Sequence, residues 1–301
     1  MKILLFGMDG QVGWELQRSL APLGEVLALN SKSADYCGDL MDLEGILTTV
    51  NSFAPDVIVN AAAYTAVDKA ELNREQAFRV NAEAVEALAQ AAVDSGSLLV
   101  HYSTDYVLPG DGIAARHEGD AVGPLNVYGE SKLAGEQAIQ ASGCMHLIFR
   151  TSWVYAARGN NFARTILRLA SERDTLGVIN DQFGAPTGAE LIADVTAQAI
   201  VAVRANPSLS GLYHLAASGE TTWYGYARFV LEQAKTQEIA MRLSAEQVAA
   251  LTTDAYPTPA KRPLNSRLDT SKLQETFALN LPHWRLGVTR MLKEIHEKGP
   301  R

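Results

Sequence analysis

Cysteine is scarce in this sequence of 301 residues, which contains only Cys37 and Cys144. The two lie far apart and form no CxxC pair, which excludes a disulfide framework and a cysteine-ligated zinc site. A folded chain of this length buries about three-quarters of its unfolded surface, so it needs no covalent or metal cross-link. We therefore expect a reduced, soluble, cytoplasmic protein.

Long apolar runs are also missing. No segment approaches the ~18 consecutive apolar residues of a membrane span. The amino-terminal run Ile3–Phe6 is too short for the hydrophobic region of a signal peptide, and a glycine-rich loop follows it directly. The sequence therefore predicts neither a membrane span nor a secretion signal.

Basic residues are in the minority. The chain has 26 Lys and Arg against 34 Asp and Glu, which gives a formal net charge of −8. This surplus of negative charge argues against non-specific binding to nucleic acid or to anionic membranes. It does not exclude a small anionic substrate, because a few local basic groups are enough to bind one.

The first half of the chain alternates strand and helix patterns. Short apolar runs such as Ile3–Phe6 and Val57–Val59 alternate with helical stretches, including Leu43–Phe53 and a long alanine-rich helix over Ala77–Val93. This alternation predicts an α/β fold with a parallel sheet covered on both faces. We expect a Rossmann-type doubly wound parallel sheet with a smaller, largely C-terminal substrate domain. The predicted boundaries are 1–152 and 188–222 for the dinucleotide-binding domain, and 153–187 and 223–301 for the substrate-binding domain.

A glycine-rich loop follows the first predicted strand. Gly7, Gly10 and Gly13 recur at every third position, and a helical pattern begins directly after the loop. The first glycine permits a tight turn, the second lets the backbone approach a pyrophosphate, and the third lets the helix pack closely on the strand. The helix amino terminus then offers N–H groups to the phosphates. The loop residues expected to bind a dinucleotide are Gly7, Asp9, Gly10, Gln11, Val12 and Gly13.

The second predicted strand ends without the carboxylate that usually holds the ribose 2′-hydroxyl of NAD. Asn30 and Ser31 stand there and can hydrogen-bond a hydroxyl or a phosphate, and Lys32 could pair with a 2′-phosphate. This favours NADPH, or acceptance of both NADPH and NADH. Asp39 is expected to hydrogen-bond the adenine, and Leu40 to pack on it. The other residues expected beside the cofactor are Ala62, Ala63, Tyr64 and Tyr102.

Tyr128 and Lys132 are four residues apart, so on a helix both can point at one ligand. A tyrosine pKa of about 10 is too high for acid–base work at neutral pH, and a nearby ammonium would lower it. Thr104 closes a predicted strand at the edge where doubly wound sheets bind ligands, and it can donate a hydrogen bond to a carbonyl oxygen. We expect these three residues to be catalytic, passing a proton to a carbonyl oxygen as hydride reaches its carbon.

Taken together, these motifs resemble the extended short-chain dehydrogenase/reductase superfamily and, more closely, the dTDP-4-dehydrorhamnose reductase family. The resemblance covers essentially the whole chain. The segments that carry it are Gly7–Gly13, Asn60–Tyr64, Ser103–Val107, Arg150–Tyr155, Gly184–Thr187 and Lys261–Ser266. It implies that hydride from NADPH or NADH reduces the C4 carbonyl of dTDP-4-dehydro-L-rhamnose. The product, dTDP-L-rhamnose, is a precursor of cell-surface polysaccharides such as the lipopolysaccharide O-antigen.

Residue roles follow from the same resemblance. Tyr128 would donate the proton, Lys132 would contact the nicotinamide ribose, and Thr104 would polarise the carbonyl. The residues implied to bind the substrate are Thr104, Asp105, Trp153 and, at its diphosphate, Arg262. Members of the family form homodimers with a Mg²⁺ bridged by glutamates. The candidates for those glutamates are Glu15, Glu190 and Glu294.

Other functions fit parts of the pattern. A nucleotide-sugar 4,6-dehydratase usually has Asp-Glu after the threonine, whereas Tyr106 follows Asp105 here, which counts against dehydration. A nucleotide-sugar epimerase of the same superfamily stays open on chemical grounds. A non-catalytic NADP-binding regulatory subunit, like the relative that regulates methionine adenosyltransferase, is disfavoured by the intact Thr104, Tyr128 and Lys132.

Overall fold

Six parallel strands form the central sheet of the protein, which a computed structural model describes over residues 1–297. The strands in chain order are β1 Lys2–Phe6, β2 Glu25–Leu29, β3 Val57–Asn60, β4 Leu98–Thr104, β5 His146–Thr151, β6 Val154–Tyr155, β7 Leu176–Ile179, β8 Phe183–Gly184, β9 Thr187–Gly188, β10 Gly211–His214, β11 Thr221–Thr222 and β12 Val248–Leu251. The central order is β2-β1-β3-β4-β5-β10, and every neighbouring pair in it is parallel. The pairs β6-β9, β7-β12 and β8-β11 lie outside it.

Helices cover both faces of this sheet. They are α1 Gln11–Leu20, α2 Leu43–Phe53, α3 Val67–Ala70, α4 Arg74–Phe78, α5 Ala84–Ser95, α6 Val127–Ser142, α7 Phe162–Glu172, α8 Ala189–Ala205, α9 Trp223–Thr236, α10 Ser271–Phe277 and α11 Trp284–Glu297. Successive side chains of a strand point to opposite faces. In β1, Ile3 and Leu5 therefore pack with α1 and α8, whereas Leu4 and Phe6 pack with α2 and α5. The predicted Rossmann-type doubly wound sheet is confirmed.

The strand order reverses between β1 and β3. The chain passes from β1 outward to β2 on one side, and from β3 to β4 and β5 on the other. In such sheets ligands bind in the crevice outside the carboxyl ends of the strands, at this switch point. The glycine-rich loop follows β1, and residues 61–64 follow β3, so both lie at that crevice.

The alanine-rich helix predicted over Ala77–Val93 is interrupted in the structure. Helix α4 ends at Phe78, residues Arg79–Glu83 form a π-helical turn, and α5 begins at Ala84. Such turns place an extra residue in a helix and often lie at functional sites. Helix α6 crosses here so closely that a Cβ on Gly135 would overlap the backbone oxygen of Asn81. The periodicity of the apolar residues carries no sign of this local widening.

A third apolar cluster lies in the second half of the chain, apart from the two clusters against the central sheet. Its largest buried members are Tyr226 of α9 and Trp284 of α11, whose rings meet edge to face with centroids 5.8 Å apart. Residues 298–301 of the predicted substrate-binding domain lie outside the described residues. Within residues 1–297, no helix is both long enough and apolar enough to cross a membrane.

Candidate active site

The glycine-rich loop is held against two neighbouring strands. The backbone N–H groups of Gly7 and Met8 both donate to the carbonyl oxygen of Leu29, at 2.8 and 3.0 Å. Gly7 has a φ of +88°, and a Cβ there would lie 2.7 Å from the backbone nitrogen of Ala62. Gly13 faces back toward the turn, where a Cβ would overlap the Gly7 carbonyl oxygen. The turn at Gly7, the loop at Ala62 and the start of α1 at Gly13 thus pack backbone against backbone, with no space for a side chain at either glycine.

This cradle fits the pyrophosphate of a dinucleotide. Gly10 precedes α1 in an extended conformation, and no side chain caps the helix. The first N–H groups of α1 can therefore donate to phosphate oxygens, as at other dinucleotide sites. Gln11 accepts a hydrogen bond from Asn161 at 3.1 Å, and Val12 packs against the core. The side chain of Gln11 thus fastens the loop, while its backbone remains available to a phosphate.

Gly13→Ala should raise the Kd of NAD(P)H by at least about tenfold, because its Cβ pushes α1 away from the turn at Gly7, and overpacking of this kind costs about 1–3 kcal/mol. Cofactor fluorescence titration measures the Kd, and a thermal melt reports any loss of folding. Gly119→Ala is the matched control, because no atom lies within 4 Å of a Cβ there. Unchanged cofactor affinity in Gly13→Ala would contradict the assignment of this loop.

Beyond the cradle, the polar groups at the end of β2 bond one another. Asn30 donates from Nδ2 to the Asp9 carboxylate at 2.6 Å and accepts the backbone N–H of Lys32 at 2.8 Å. Asp39 accepts the backbone N–H of Met41 at 3.0 Å, which orders the next loop.

Two residues expected beside the cofactor have other contacts. Leu40 is only 4% exposed and packs in the core under α2, which differs from the expected packing of this side chain on adenine. The Tyr102 hydroxyl hydrogen-bonds Thr196 of α8 at 2.8 Å, so the protein itself holds that hydroxyl. Both residues were expected beside the cofactor because of the pattern of their loop or strand. Such a pattern does not show in which direction a side chain points.

A buried asparagine of the π-helical turn holds the loop after β3. Asn81 accepts the backbone N–H of Tyr64 at 2.9 Å and donates to the Tyr64 carbonyl at 3.0 Å. It also donates to the Ser131 hydroxyl of α6 at 3.0 Å. The small residues Ala62 and Ala63 lie in this loop, half-buried beside the crevice. Asn81 therefore fixes the wall of the crevice to the helix that carries Tyr128 and Lys132.

Helix α6 begins where Asn126 caps it. The Asn126 side chain accepts the N–H of Gly129 at 2.8 Å and donates to the Lys261 carbonyl at 2.8 Å. The cap places Tyr128 in the first turn and Lys132 one turn later, as their spacing predicts. It also ties the start of the helix to the proline-rich loop that contains Arg262.

The end of β4 brings a hydroxyl and a carboxyl group to the same place. The Thr104 hydroxyl donates to Oδ1 of Asp105 at 3.0 Å. The other oxygen, Oδ2, is buried, and within residues 1–297 no hydrogen bond of normal geometry reaches it, although the Ser266 hydroxyl is near enough to lower the pKa of this carboxyl group. Burial raises the pKa of Asp105 to about 6. Near neutral pH this side chain can therefore accept a hydrogen bond from a ligand.

The pKa of Tyr128 departs from the sequence-based expectation. Burial raises it above its ordinary value, the Asp105 carboxylate raises it further, and a hydrogen bond with Thr104 lowers it. The net shift is upward, so the predicted lowering of this pKa is wrong for this structure. A raised pKa keeps the phenol protonated near neutral pH, which is the form that can donate a proton.

Lys132 is 1% exposed, and its ammonium or amine faces His101 of β4. The distance between Nζ and His101 Nε2 is 3.0 Å, and Asn60 Nδ2 lies 3.3 Å from His101 Nδ1. Asn60 accepts the N–H of Ala62 at Oδ1, so its amide nitrogen must face the imidazole. Burial and the neighbouring Lys132 charge hold the pKa of His101 well below its ordinary value, so its imidazole is neutral near pH 7. Burial lowers the pKa of Lys132 to about 8, against the opposing effect of the Glu136 carboxylate, so most of this group is an ammonium near pH 7.

Trp153 adopts a φ of +49°, which few non-glycine residues do. Its indole stacks on Trp223 of α9 with centroids 3.6 Å apart, and Trp223 donates from Nε1 to Gln182 at 3.1 Å. A Cβ on Gly184 would lie 2.7 Å from Trp153. The ring is half-buried, and its position is fixed from several sides.

Arg262 already has anionic and polar partners. Its guanidinium pairs with Asp68 at 2.7 Å and donates to the Tyr106 hydroxyl at 3.3 Å. The Tyr106 ring meets Tyr128 edge to face, with centroids 5.6 Å apart. Arg262 is thus one contact removed from Tyr128, and its side chain is 24% exposed.

The three glutamates implied by the resemblance lie together, away from this crevice. Glu15, Glu190 and Glu294 line one cavity between α1, α8 and α11. Burial and the Glu190 carboxylate raise the pKa of Glu15, whereas Arg18 lowers it. Among residues 1–297, no group of three or more His, Cys, Asp and Glu side chains is arranged to hold a metal ion.

Sequence reasoning missed several residues that support the site. The i, i+4 spacing of Lys132 and Glu136 on α6 could have indicated Glu136, whose carboxylate raises the pKa of Lys132 against the effect of burial. The sequence shows Trp223 only as one of several aromatic residues at the start of a predicted helix, and it does not indicate the stacking on Trp153. The other missed residues are Asn60, Asn81, His101, Arg150 and Gln182.

A glycine cradle at the switch point of a parallel sheet, with Thr104, Tyr128 and Lys132 at the adjoining strand end and helix, defines a dinucleotide-dependent enzyme. The class is that of the short-chain dehydrogenases/reductases.

Comparison with known proteins narrows this class. The family model described as RmlD substrate binding domain matches residues 1–297, and the chain belongs to that family. It is 60% identical over 295 residues to the dTDP-4-dehydrorhamnose reductase of Escherichia coli K12, covering 98% of each chain.

Two solved structures extend the comparison. The dTDP-4-dehydrorhamnose reductase from Clostridium acetobutylicum has a TM-score of 0.87 and 31% identity, with 98% of this chain and 100% of that one covered. The enzyme of the same name from Bacillus anthracis, solved in complex with NADP, has a TM-score of 0.86 and 31% identity, with 97% and 99% covered.

Proposed function

We propose that this protein reduces the C4 carbonyl of dTDP-4-dehydro-L-rhamnose to give dTDP-L-rhamnose, in the pathway that makes dTDP-rhamnose for cell-surface polysaccharides. The observation that carries the proposal is the group formed beside the cradle by the buried Thr104 and Asp105 and the half-buried Tyr128, in a chain 60% identical to a reductase of that name. NADPH or NADH, bound along the glycine-rich loop, supplies the hydride.

In the proposed mechanism Tyr128 is the proton donor. Its raised pKa keeps the hydroxyl protonated. The Thr104 hydroxyl, whose single proton is held by Asp105 in the free protein, turns to donate to the same carbonyl oxygen when the substrate binds. As hydride reaches C4, negative charge develops on that oxygen, and the two hydroxyls stabilise it. Lys132 contacts the nicotinamide ribose from its place one helical turn further on. The phenolate left after proton transfer is reprotonated from solvent.

The substrate lies between the β4 end and the second half of the chain. Asp105 offers Oδ2 to a sugar hydroxyl, and the flat face of Trp153 packs against the C–H groups of the ring. Arg262 exchanges part of its pairing with Asp68 for the diphosphate. An anion can compete for this guanidinium because the pair is partly exposed to solvent.

Oxidation of NADPH and NADH, followed by absorbance with and without dTDP-4-dehydro-L-rhamnose, tests the proposal. We expect oxidation that depends on the sugar nucleotide and produces dTDP-L-rhamnose. Cofactor binding without any such turnover would contradict the proposal and would favour the regulatory subunit considered above. Conversion of a nucleotide sugar to its epimer without net cofactor oxidation would favour the epimerase.

The chain is proposed to divide as its sequence predicts, with residues 1–152 and 188–222 holding the cofactor and residues 153–187 and 223–301 holding the sugar. The separate apolar cluster around Tyr226 and Trp284 supports this division. Free thiols at Cys37 and Cys144 fit a cytoplasmic location.

A homodimer that binds Mg²⁺ is also proposed at the cavity of Glu15, Glu190 and Glu294. Mg²⁺ prefers about six oxygen ligands, more than one chain arranges here, so a second copy would have to complete the site. Light scattering with EDTA and with added Mg²⁺ should report a dimer that Mg²⁺ strengthens. Glu190→Gln should weaken that effect, whereas Glu172→Gln, at an exposed position at the end of α7, should not. A monomer under both conditions would contradict the proposal.

A further inference from the structure

The carboxylate of Asp9 lies beside the end of β2, a strand that ends without a carboxylate of its own. Asp9 belongs to the glycine-rich loop, and two backbone hydrogen bonds to Leu29 hold that loop against the end of β2. The Asp9 carboxylate there accepts a hydrogen bond from Asn30 at 2.6 Å. A carboxylate thus stands where dinucleotide-binding folds contact the adenine ribose, although the strand itself carries none.

The orientation of Asn30 makes Asp9 the main acceptor at this position. The oxygen of the Asn30 amide accepts the N–H of Lys32 at 2.8 Å and is 3.4 Å from the Ser33 hydroxyl. The amide nitrogen is therefore turned toward Asp9, to which it can only donate. The Asp9 side chain is 56% exposed, so its remaining lone pairs face the open side of the loop.

We propose that Asp9 selects between the two nicotinamide cofactors, accepting a hydrogen bond from the ribose 2′-hydroxyl of NADH and repelling the 2′-phosphate of NADPH. This inference rests on the proposed use of NAD(P)H. It changes the expectation from Asn30 and Lys32 alone, which favoured NADPH or both cofactors. An ionised carboxylate hydrogen-bonds a hydroxyl well, but its charge opposes that of a phosphate.

Two cations stand near this carboxylate. Arg158 has its guanidinium 4.0 Å from Asp9 and 3.9 Å above the ring of Trp14. Lys32 is exposed on the neighbouring loop. Asp9 holds the positive charge of Arg158 in an ion pair, which makes that charge less available to a phosphate. Removing the carboxylate should therefore both end a repulsion and release a phosphate-binding group.

Asp9→Asn tests the proposal in the full-length protein, through the Kd of NADH and of NADPH measured by fluorescence titration without sugar nucleotide. We expect the ratio of the NADH Kd to the NADPH Kd to rise by about tenfold. Most of this rise in the ratio should be lost at high salt. Asp35→Asn is the matched control, because it removes an exposed carboxylate from the loop after β2, at a position without a contact to Asn30. Its ratio should stay within about twofold of wild type.

A ratio in Asp9→Asn that stays within about twofold of wild type would overturn the proposal. An equal shift of the Kd ratio in Asp35→Asn would also overturn it. The shift would then reflect the loss of one negative charge and not the position of Asp9. Because the titration needs no sugar nucleotide, the Kd ratio can be read even if dTDP-4-dehydro-L-rhamnose is not turned over. Failure of the proposed reaction and failure of cofactor selection by Asp9 are thus separate results.

Discussion

Tyr128→Phe should lower kcat by about 100- to 10,000-fold while leaving the Kd of NAD(P)H nearly unchanged. The substitution removes only the hydroxyl, and the phenyl ring keeps its edge-to-face contact with Tyr106. Thr104 would still hydrogen-bond the carbonyl oxygen, but an aliphatic hydroxyl is a much weaker acid than a phenol and does not transfer its proton as readily. The expected signature is a loss in kcat without a matching change in cofactor binding.

Steady-state rates and fluorescence titration of the same preparation measure the two quantities. Tyr106→Phe is the matched control, because it removes a neighbouring phenol hydroxyl that accepts from Arg262. The hydrogen bond from the Tyr106 backbone N–H to the Thr104 hydroxyl is unaffected by this substitution. It should raise the KM of the sugar nucleotide more than it lowers kcat. Turnover of Tyr128→Phe within tenfold of wild type would show that another group supplies the proton.

Glu136→Ala should destabilise the fold by about 3–5 kcal/mol. Glu136 and Arg150 form a two-point ion pair, with distances of 2.9 and 2.7 Å, and their side chains are 1% and 4% exposed. Without the carboxylate, the Arg150 guanidinium would remain buried between α6 and β5 with no counter-charge. The cost is that of an unpaired buried charge, which exceeds the net worth of the pair itself.

Urea unfolding measures this free energy. Glu172→Ala is the control, since it breaks an ion pair with Arg168 of similar length, 2.9 Å, whose side chains are 52% and 60% exposed. An exposed pair of this kind contributes about 0–1 kcal/mol. A loss in Glu136→Ala no larger than in Glu172→Ala would contradict the buried-pair argument. Glu136→Gln, which keeps the shape of the side chain, serves if the alanine variant does not fold.

Local spacing was enough to predict much of the site. The glycine loop and the Tyr128–Lys132 pair are each set by a few neighbouring residues, and the structure places both at the predicted edge of the sheet. The contact between Asn60 and His101, in contrast, could not be predicted from local spacing. These residues sit side by side in β3 and β4, so their meeting depends on strand register across distant parts of the chain. No local pattern encodes that register.

Burial accounts for the prediction that was wrong. The spacing of Tyr128 and Lys132 suggested that charge would lower the pKa of the phenol, but it gave no measure of how deeply either group is enclosed. In the folded protein burial raises the pKa of Tyr128 and lowers that of Lys132, and Lys132 turns to His101. The pairing of Asp9 with Asn30 was hidden for a related reason, since it joins two loops that only the folded sheet brings together.

The most direct test of the proposed reduction follows the hydride itself. NADPH that carries deuterium at its transferable position is incubated with dTDP-4-dehydro-L-rhamnose and the enzyme, and the product is examined by NMR. The proposed mechanism predicts dTDP-L-rhamnose with deuterium at C4 of the sugar, formed in proportion to the cofactor oxidised. A product without deuterium at C4, or isomerisation of a nucleotide sugar with no net oxidation of the cofactor, would contradict it.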